Sequence, residues 1–188
     1  MRLNITVKLF VVALVWLATN GHATEIPKAK QTNLGLYLTS AAAYEKWQVD
    51  PEHIKILDVR TLEEYIFVGH AAMAWNIPFA LQTHEWDGDR MRFAMRANPD
   101  FVALAKAWAE SSDTILVMCR SGSRSTMAVN ALANAGFTQV YNILDGMEGD
   151  KVKDKDSLFH GKRMKNGWKN TGLPWTYELN PGQIRIKP

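Results

Sequence analysis

The chain reads Thr114-Ile115-Leu116-Val117-Met118-Cys119-Arg120-Ser121-Gly122-Ser123-Arg124-Ser125 in the stretch that decides its fold. The first five of these residues are apolar and rich in β-branched side chains, a pattern that predicts a buried strand. From Ser125 to Ala135 the pattern predicts a helix that stops at Gly136. The loop between them therefore lies beside free backbone N–H groups and the positive end of a helix dipole, both of which stabilise anions.

Cys119 is the only cysteine in the sequence and begins this loop. A single cysteine forms no disulfide within the chain, and it excludes a c-type haem attachment motif, an iron–sulfur cluster and a cysteine-rich zinc site. Two interpretations remain: a buried, inert side chain or a reactive thiol. Because Arg120 and Arg124 place fixed positive charge nearby, the sequence favours a reactive thiolate that handles sulfur or anions.

Residues 1–23 have the three parts of a secretory signal. Arg2 and Lys8 supply positive charge, Leu9–Ala18 is apolar, and Gly21-His22-Ala23 offers small residues before a cleavage site. The apolar run is shorter than the roughly 20 residues of a membrane-spanning helix, which makes an uncleaved anchor the less favoured alternative. The sequence therefore predicts an exported, soluble mature protein, periplasmic in a Gram-negative host, with no membrane contact after cleavage.

The length and charge of the chain limit its class. The 188 residues, 47% of them apolar, suit one globular domain. Removal of residues 1–23 leaves 22 − 2 = 20 basic against 19 acidic residues, a balance that gives no support for nucleic-acid binding. The segment 150–188 is locally basic, with nine Lys or Arg against four Asp or Glu, which indicates a solvated face or a docking surface for an acidic partner.

Strand and helix patterns alternate along the chain. The predicted strands lie at 34–38, 54–59, 74–77, 114–118 and 139–143. The predicted helices lie at 39–47, 62–67, 99–110 and 125–135, and the polar, aromatic stretch 81–98 is predicted to be an insertion or lid. This alternation predicts an α/β fold with a mainly parallel sheet and helices on both faces. Cys119 then lies at the carboxyl edge of the strands, where such sheets bind ligands.

Four segments, taken in order, resemble the motifs of a known family. They are Leu57-Asp58-Val59-Arg60 with Glu63-Glu64-Tyr65, then Gly69-His70-Ala71 leading to Asn76-Ile77-Pro78, then the Cys119–Ser125 loop, then Ala135-Gly136-Phe137 with Val140-Tyr141-Asn142-Ile143 and Asp145-Gly146. In these segments the chain is similar to a single-domain rhodanese over residues 34–175, followed by a tail at 176–188. The family's usual Gly-His-Ile-Pro-Gly-Ala is here Gly69-His70-Ala71-Ala72-Met73-Ala74, so that turn is expected to differ.

The resemblance implies the three-layer rhodanese-like α/β fold and a sulfurtransferase activity. In that reaction Cys119 takes the outer (sulfane) sulfur of thiosulfate or a persulfide and passes it, as a persulfide, to a thiophilic acceptor. No metal or organic cofactor is required. The expected binding groups for the sulfur-containing anion are the loop residues Arg120, Ser121, Gly122, Ser123, Arg124 and Ser125.

Two other functions stay open. A protein or arsenate phosphatase uses a related loop, but with five residues between its cysteine and arginine, whereas four separate Cys119 from Arg124. The other alternative is a carrier or binding module that receives persulfide sulfur from a partner protein and turns over small donors poorly. The basic C-terminal segment and the predicted lid support the carrier, and the shorter loop argues against the phosphatase.

Several polar residues receive supporting roles. Asp58 and Arg60, at the end of a predicted central strand, are expected to brace the loop by hydrogen bonds and an ion pair, with Glu64 as a candidate partner. His70 is expected to stabilise a turn, because transfer of sulfane sulfur to a thiolate needs no general base. The arginines of the 81–98 stretch are expected to form a solvated face in preference to the mouth of a pocket; they are Arg90, Arg92 and Arg96.

Overall fold

The structure is a computed structural model that describes residues 25–186. The predicted signal at residues 1–23 lies outside the described residues. Within 25–186, no helix combines the length and the apolar character needed to cross a membrane.

The described chain contains four α-helices and nine strands in the following order. They are β1 (Tyr37–Leu38), α1 (Ser40–Val49), β2 (Ile54–Asp58), α2 (Leu62–Phe67), β3 (His70–Ala71), β4 (Trp75–Asn76), β5 (Ala80–Asp87), β6 (Arg92–Ala97), α3 (Phe101–Trp108), β7 (Thr114–Met118), α4 (Ser123–Asn134), β8 (Val140–Ile143) and β9 (Trp175–Thr176). Short 3₁₀ helices lie at Lys28–Lys30 and Pro181–Gln183.

The central sheet has five strands in the order β1-β8-β7-β2-β4, and every neighbouring pair is parallel. Strand β7 therefore lies in the middle, and its carboxyl end delivers Cys119 to the middle of the sheet edge. Parallel strands need crossover connections, which the helices supply. The predicted α/β fold with a mainly parallel sheet is confirmed.

Alternation along β7 separates two hydrophobic cores, because successive side chains of a strand point to opposite faces. Ile115 and Val117 pack on one face against α3 and α4, whereas Leu116 and Met118 pack on the other face against α1 and Trp168. All four β7 side chains are fully buried. Helices thus cover both faces of the sheet, which is the predicted three-layer arrangement.

The stretch predicted as an insertion or lid is an antiparallel hairpin, formed by β5 and β6. It is a separate two-stranded sheet and does not pair with the central one. The sequence prediction missed these strands because their side chains are partly or fully exposed on both faces, so they lack a clean apolar–polar alternation.

The segment 175–185 contacts the domain at two places. Strand β9 pairs antiparallel with β3, so that Thr176 lies opposite His70. Further along, the N–H of Arg185 donates to the carbonyl of Asn76 over 2.8 Å, and the Arg185 guanidinium lies 5.1 Å from the ring centroid of Trp75. The C-terminal segment therefore returns to the edge strand β4.

Candidate active site

Cys119 follows β7 directly and is almost fully buried, with 2% of its surface exposed. The turn after β8 holds the backbone of its loop: Met147 N–H donates to the Cys119 carbonyl over 2.8 Å, and Glu148 N–H donates to the Arg120 carbonyl over 2.9 Å. These hydrogen bonds fix the loop at two consecutive carbonyls. The turn after β8 therefore fixes the backbone that surrounds the thiol.

Two donors reach the sulfur from inside the loop. The Gly122 N–H lies 3.2 Å from Cys119 Sγ, and the Ser125 hydroxyl lies 3.4 Å from it. Gly122 has φ +91° and is the N-cap of α4, so the helix begins at Ser123, two residues earlier than predicted. The left-handed backbone of Gly122 turns its N–H towards the sulfur. The first turn of a 12-residue helix adds its dipole to the same place.

Ser125 also connects the sulfur to a buried polar network. Its hydroxyl lies 2.6 Å from Asn142 Oδ1, on the adjacent strand β8. The Asn142 amide in turn donates to the carbonyls of Lys30 and Gly122 and to Thr126 Oγ1, over 3.0–3.1 Å. Because the hydroxyl has one proton, it donates either to Asn142 or to the sulfur. Asn142 thereby positions Ser125 beneath the thiol.

Arg124 makes a bidentate ion pair with Glu64 of α2, at 2.6 and 2.8 Å. Glu64 also closes a capping box with Thr61 at the start of α2. Burial alone would raise the pKa of Glu64, but the hydrogen bonds and charge of Arg124 hold that pKa below its ordinary value. Burial would likewise lower the pKa of Arg124, and Glu64 raises it. The charge on Arg124 is therefore largely balanced before any ligand arrives.

Asp58 and Arg60 pair with each other and are both fully buried. The Arg60 guanidinium donates to both Asp58 oxygens over 2.6–3.0 Å and to the Gly69 carbonyl over 2.8 Å. The candidate ion pair of Arg60 with the Glu64 carboxylate is wrong, because both oxygens of that carboxylate accept from Arg124. Arg60 meets only the Glu64 backbone carbonyl, at 3.5 Å. The Asp58–Arg60 pair thus links β2 to the turn before β3.

A cavity of about 460 Å³ opens above Cys119. Five residues of the cysteine loop line this cavity: Cys119, Arg120, Ser121, Ser123 and Arg124. The β5–β6 hairpin contributes Gln82, Arg92, Phe93 and Met95, and the C-terminal region contributes Arg163. The prediction that the hairpin arginines form only a solvated face is thus wrong for Arg92, since the hairpin folds over the cavity.

The structure brings most of the predicted site residues together. Five of them line the cavity, whereas Gly122 and Ser125 act from beneath through an N–H and a hydroxyl. Asp58 and Arg60 do not line it. Sequence reasoning missed Asn142 and the partner role of Glu64. The signal for Asn142 was a polar residue inside the apolar strand Val140–Ile143, near its carboxyl end.

Among residues 25–186, no group of three or more His, Cys, Asp and Glu side chains lies together as a metal site would require. Cys119 is the group with nucleophilic character in the cavity, and its cavity neighbours include three arginines from different parts of the chain, Arg92, Arg124 and Arg163. The arrangement can bind an anion and present a sulfur nucleophile to it.

The fold and the site together define an α/β protein with a buried thiol at the carboxyl edge of a parallel sheet, beside a helix N-terminus. The chain belongs to the rhodanese family: the Rhodanese-like domain matches residues 40–153. The resemblance drawn from the four motifs is confirmed.

Two relatives show how far the similarity extends. The chain is 40% identical to thiosulfate sulfurtransferase 16, chloroplastic, of Arabidopsis thaliana over 92 residues, which covers 49% of this chain and 69% of the relative. It is 33% identical to the Rickettsia prowazekii protein RP600 over 123 residues, covering 65% of this chain and 82% of that protein.

Solved structures share the same fold. Rv0390 from M. tuberculosis has a TM-score of 0.59 and 28% identity, covering 75% of this chain and 96% of that chain. The Rhodanese-like domain of the Anabaena sp. Alr3790 protein has a TM-score of 0.51 and 21% identity, covering 74% and 77% of the respective chains. The second likeness concerns the fold alone.

Proposed function

We propose that the protein is a sulfurtransferase that carries sulfane sulfur as a persulfide on Cys119. The observation behind this proposal is the setting of Cys119 Sγ at the floor of the cavity, with the Gly122 N–H at 3.2 Å and the Ser125 hydroxyl at 3.4 Å. The Gly122 N–H donates to a thiolate and to a sulfur anion bound to it, and the Ser125 hydroxyl does so when its proton turns from Asn142 to the sulfur. The Arabidopsis relative named as a thiosulfate sulfurtransferase supports the same class of reaction.

The reaction has two balanced steps. In the loading step the Cys119 thiolate attacks the outer sulfur of thiosulfate, so that a bond from Sγ to this sulfur forms and the sulfur–sulfur bond of thiosulfate breaks. Sulfite leaves with the electron pair. In the transfer step a thiolate or cyanide attacks the outer sulfur of the persulfide, and the Cys119 thiolate leaves. Neither step needs a cofactor or a general base.

Arg120 and Arg124 have different parts in this scheme. Arg120 is exposed at the cavity and has no ion-pair partner among residues 25–186, so its guanidinium is free to bind the oxyanion of a donor. Arg124 is already paired with Glu64 and mainly holds α2 beside the loop. Ser121 and Ser123 add hydroxyl donors at the cavity wall.

A carrier that receives sulfur from a partner protein is the second candidate. The observation in its favour is the size of the cavity, about 460 Å³, within the roughly 300–1,000 Å³ of pockets that hold much larger ligands than thiosulfate. A carrier would form the same persulfide on Cys119 but react slowly with thiosulfate.

The proposal is tested by measuring the intact mass of the purified protein before thiosulfate treatment, after it, and again after cyanide is added. We expect a gain of one sulfur atom that cyanide removes as thiocyanate, and no gain in Cys119→Ser. An adduct that persists in Cys119→Ser would overturn the mechanism. An adduct that forms from polysulfide but not from thiosulfate would favour the carrier.

We also propose that the protein is exported, because residues 1–23 have the three parts of a secretory signal. We expect the mature protein to begin at Thr24. N-terminal sequencing of the protein from the periplasmic fraction of a Gram-negative host checks this, and a protein that retains Met1 would contradict it.

A further inference from the structure

One face of the β5–β6 hairpin looks onto the cavity. In the hairpin register Gln82 lies opposite Met95, and Trp86 lies opposite Phe93. Cross-strand partners share a face of a sheet, and so do alternate residues of one strand. Gln82, Phe93 and Met95 line the cavity above Cys119, and Trp86 continues the same face outward. We call these four residues the hairpin face.

Three of the four side chains of the hairpin face are apolar, and all three are exposed. Trp86 is 57% exposed, Phe93 is 51% exposed and Met95 is 40% exposed. The Trp86 and Phe93 rings pack edge to face with centroids 5.4 Å apart, which holds both rings in place. Exposed aromatic and methionine side chains grouped together, with arginine nearby, have the composition of protein–protein interfaces rather than of ordinary surface.

The rim beside the hairpin face is positively charged. Arg92, Arg120, Arg124 and Arg163 line the cavity, and its lining includes no Asp or Glu. Arg124 is balanced by Glu64, whereas Arg92 and Arg120 have no ion-pair partner within residues 25–186. Asp87 lies opposite Arg92 in the hairpin but pairs with Arg90 at 3.3 Å. The rim is therefore complementary to negative charge.

The cavity is also too large for a small donor alone. A water molecule takes about 30 Å³ in the liquid, and a small oxyanion needs only a few times that volume. The cavity of about 460 Å³ leaves most of its space unfilled by such an ion. Cys119 lies at its floor with 2% of its surface exposed, so an occupant reaches the sulfur only by inserting a narrow tip.

We propose that the hairpin face and the arginine rim bind an acidic segment of a partner protein that bears a cysteine, and that this cysteine exchanges sulfur with Cys119. The inference rests on the proposed function and names its acceptor. The partner's apolar side chains pack on Trp86, Phe93 and Met95, and its carboxylates meet Arg92 and Arg120. The partner's thiolate attacks the outer sulfur of the Cys119 persulfide; a new sulfur–sulfur bond forms on the partner, and the Cys119 thiolate leaves.

Sulfur transfer to synthetic peptides tests this inference with the full chain. The protein is loaded with sulfur from thiosulfate or polysulfide and mixed with one of two peptides of equal length and equal apolar content. In the acidic peptide a cysteine is flanked by Asp and Glu, and in the basic peptide it is flanked by Lys. We expect transfer to the acidic peptide to be at least tenfold faster. Arg92→Glu should remove most of this preference, whereas Phe93→Ser should slow transfer to both peptides alike, because their apolar content is the same.

The matched control is Arg90→Glu, which makes the same charge change on the same hairpin. Arg90 does not line the cavity and pairs with Asp87, so the preference should persist in this variant. Equal rates for the two peptides would overturn the inference. So would a transfer rate to free cysteine as high as that to the acidic peptide, because a small thiol would then be a sufficient acceptor.

A binding measurement separates this inference from the proposed function. The acidic peptide, with serine in place of its cysteine and a fluorescent label, is titrated with unloaded protein at low and high salt. We expect saturable binding that salt weakens and that Arg92→Glu weakens about tenfold. Peptide binding by a protein that forms no persulfide from thiosulfate or polysulfide would refute the sulfurtransferase and leave the docking surface standing. Absent binding by a protein that does form the persulfide would refute the docking surface alone.

Discussion

The ion pair between Arg124 and Glu64 determines how much positive charge the Cys119 loop presents. Both side chains are mostly buried, with 15% and 18% of their surfaces exposed. A buried carboxylate that loses its partner costs more free energy than an exposed one, because water cannot replace the lost hydrogen bonds. Arg124 is therefore expected to contribute to stability as well as to the binding of an anionic donor.

Arg124→Gln is expected to lower the free energy of unfolding by about 1–3 kcal/mol, because it leaves the Glu64 carboxylate without its bidentate donor. The unbalanced carboxylate should also repel an anionic donor and raise the KM for thiosulfate. Urea unfolding and steady-state kinetics measure the two effects. An unchanged KM would show that Arg124 has no influence on the donor.

The exposed pair of Arg90 and Asp87 gives the control for this variant. Arg90 is 69% exposed, so Arg90→Gln should change the unfolding free energy by no more than about 1 kcal/mol.

A second control concerns the KM for thiosulfate. Glu64→Gln keeps the capping box of α2 while it frees the charge of Arg124, so it should not raise this KM.

At the scale of elements, the junction between β7 and α4 builds the site. Strand β7 ends at Met118, and α4 begins at Ser123 after the left-handed Gly122. A side chain at position 122 would run into the backbone carbonyl of Leu144, in the turn that holds the loop. The start of α4 and the aim of the Gly122 N–H therefore depend on one glycine.

Gly122→Ala is expected to destabilise the fold by more than the roughly 1–2 kcal/mol that a left-handed non-glycine residue costs, because the Leu144 backbone must also move. Gly136→Ala is the matched control: Gly136 has φ +99°, but a Cβ there meets no atom within 4 Å. Urea unfolding compares the two variants, and equal losses would contradict this account. Gly122→Ala should in addition slow the formation of the persulfide.

Across the whole molecule, the pairing of β3 with β9 ties the C-terminal segment to the middle of the chain. His70 of β3 is 1% exposed and stacks on the Tyr65 ring with centroids 3.7 Å apart. Its Nδ1 lies 3.1 Å from the Tyr65 carbonyl oxygen. Burial lowers the pKa of His70 below its ordinary value of 6.5, so the folded protein resists its protonation.

This shift predicts a pH-dependent stability. Below about pH 6.5 the unfolded chain binds a proton at His70 more readily than the folded chain does. The stability that the neutral His70 side chain contributes is therefore complete above pH 6.5 and is lost as the pH falls through the folded pKa. Urea unfolding at several pH values should show this loss, and His70→Gln should flatten it. If the pH dependence of His70→Gln matched that of the wild type, His70 would not be its source.

His53 offers the control of opposite sign. It is exposed and pairs with Asp50, which raises the pKa of His53, so its contribution is present at low pH and is lost as the pH rises. His53→Gln should therefore leave the loss of stability on acidification in place.

The sequence by itself determined the layered fold and the location of the thiol. Alternating strands and helices require a parallel sheet with covered faces, and the run Thr114–Met118 needed no distant partner to be recognised as a buried strand. Cys119 had to lie at the carboxyl edge because it follows that strand. These conclusions depend on residues close together in the chain.

Only the tertiary structure decided what surrounds the thiol. Glu64 and Arg124 are 60 positions apart, and Ser125 and Asn142 are 17 apart, so no local pattern pairs them. The exposed faces of the β5–β6 hairpin hid both its strands and its place over the cavity. The spacing of apolar residues along the chain indicates which side of a helix or strand is buried. Which side chains of two different elements meet is decided by how the whole elements pack.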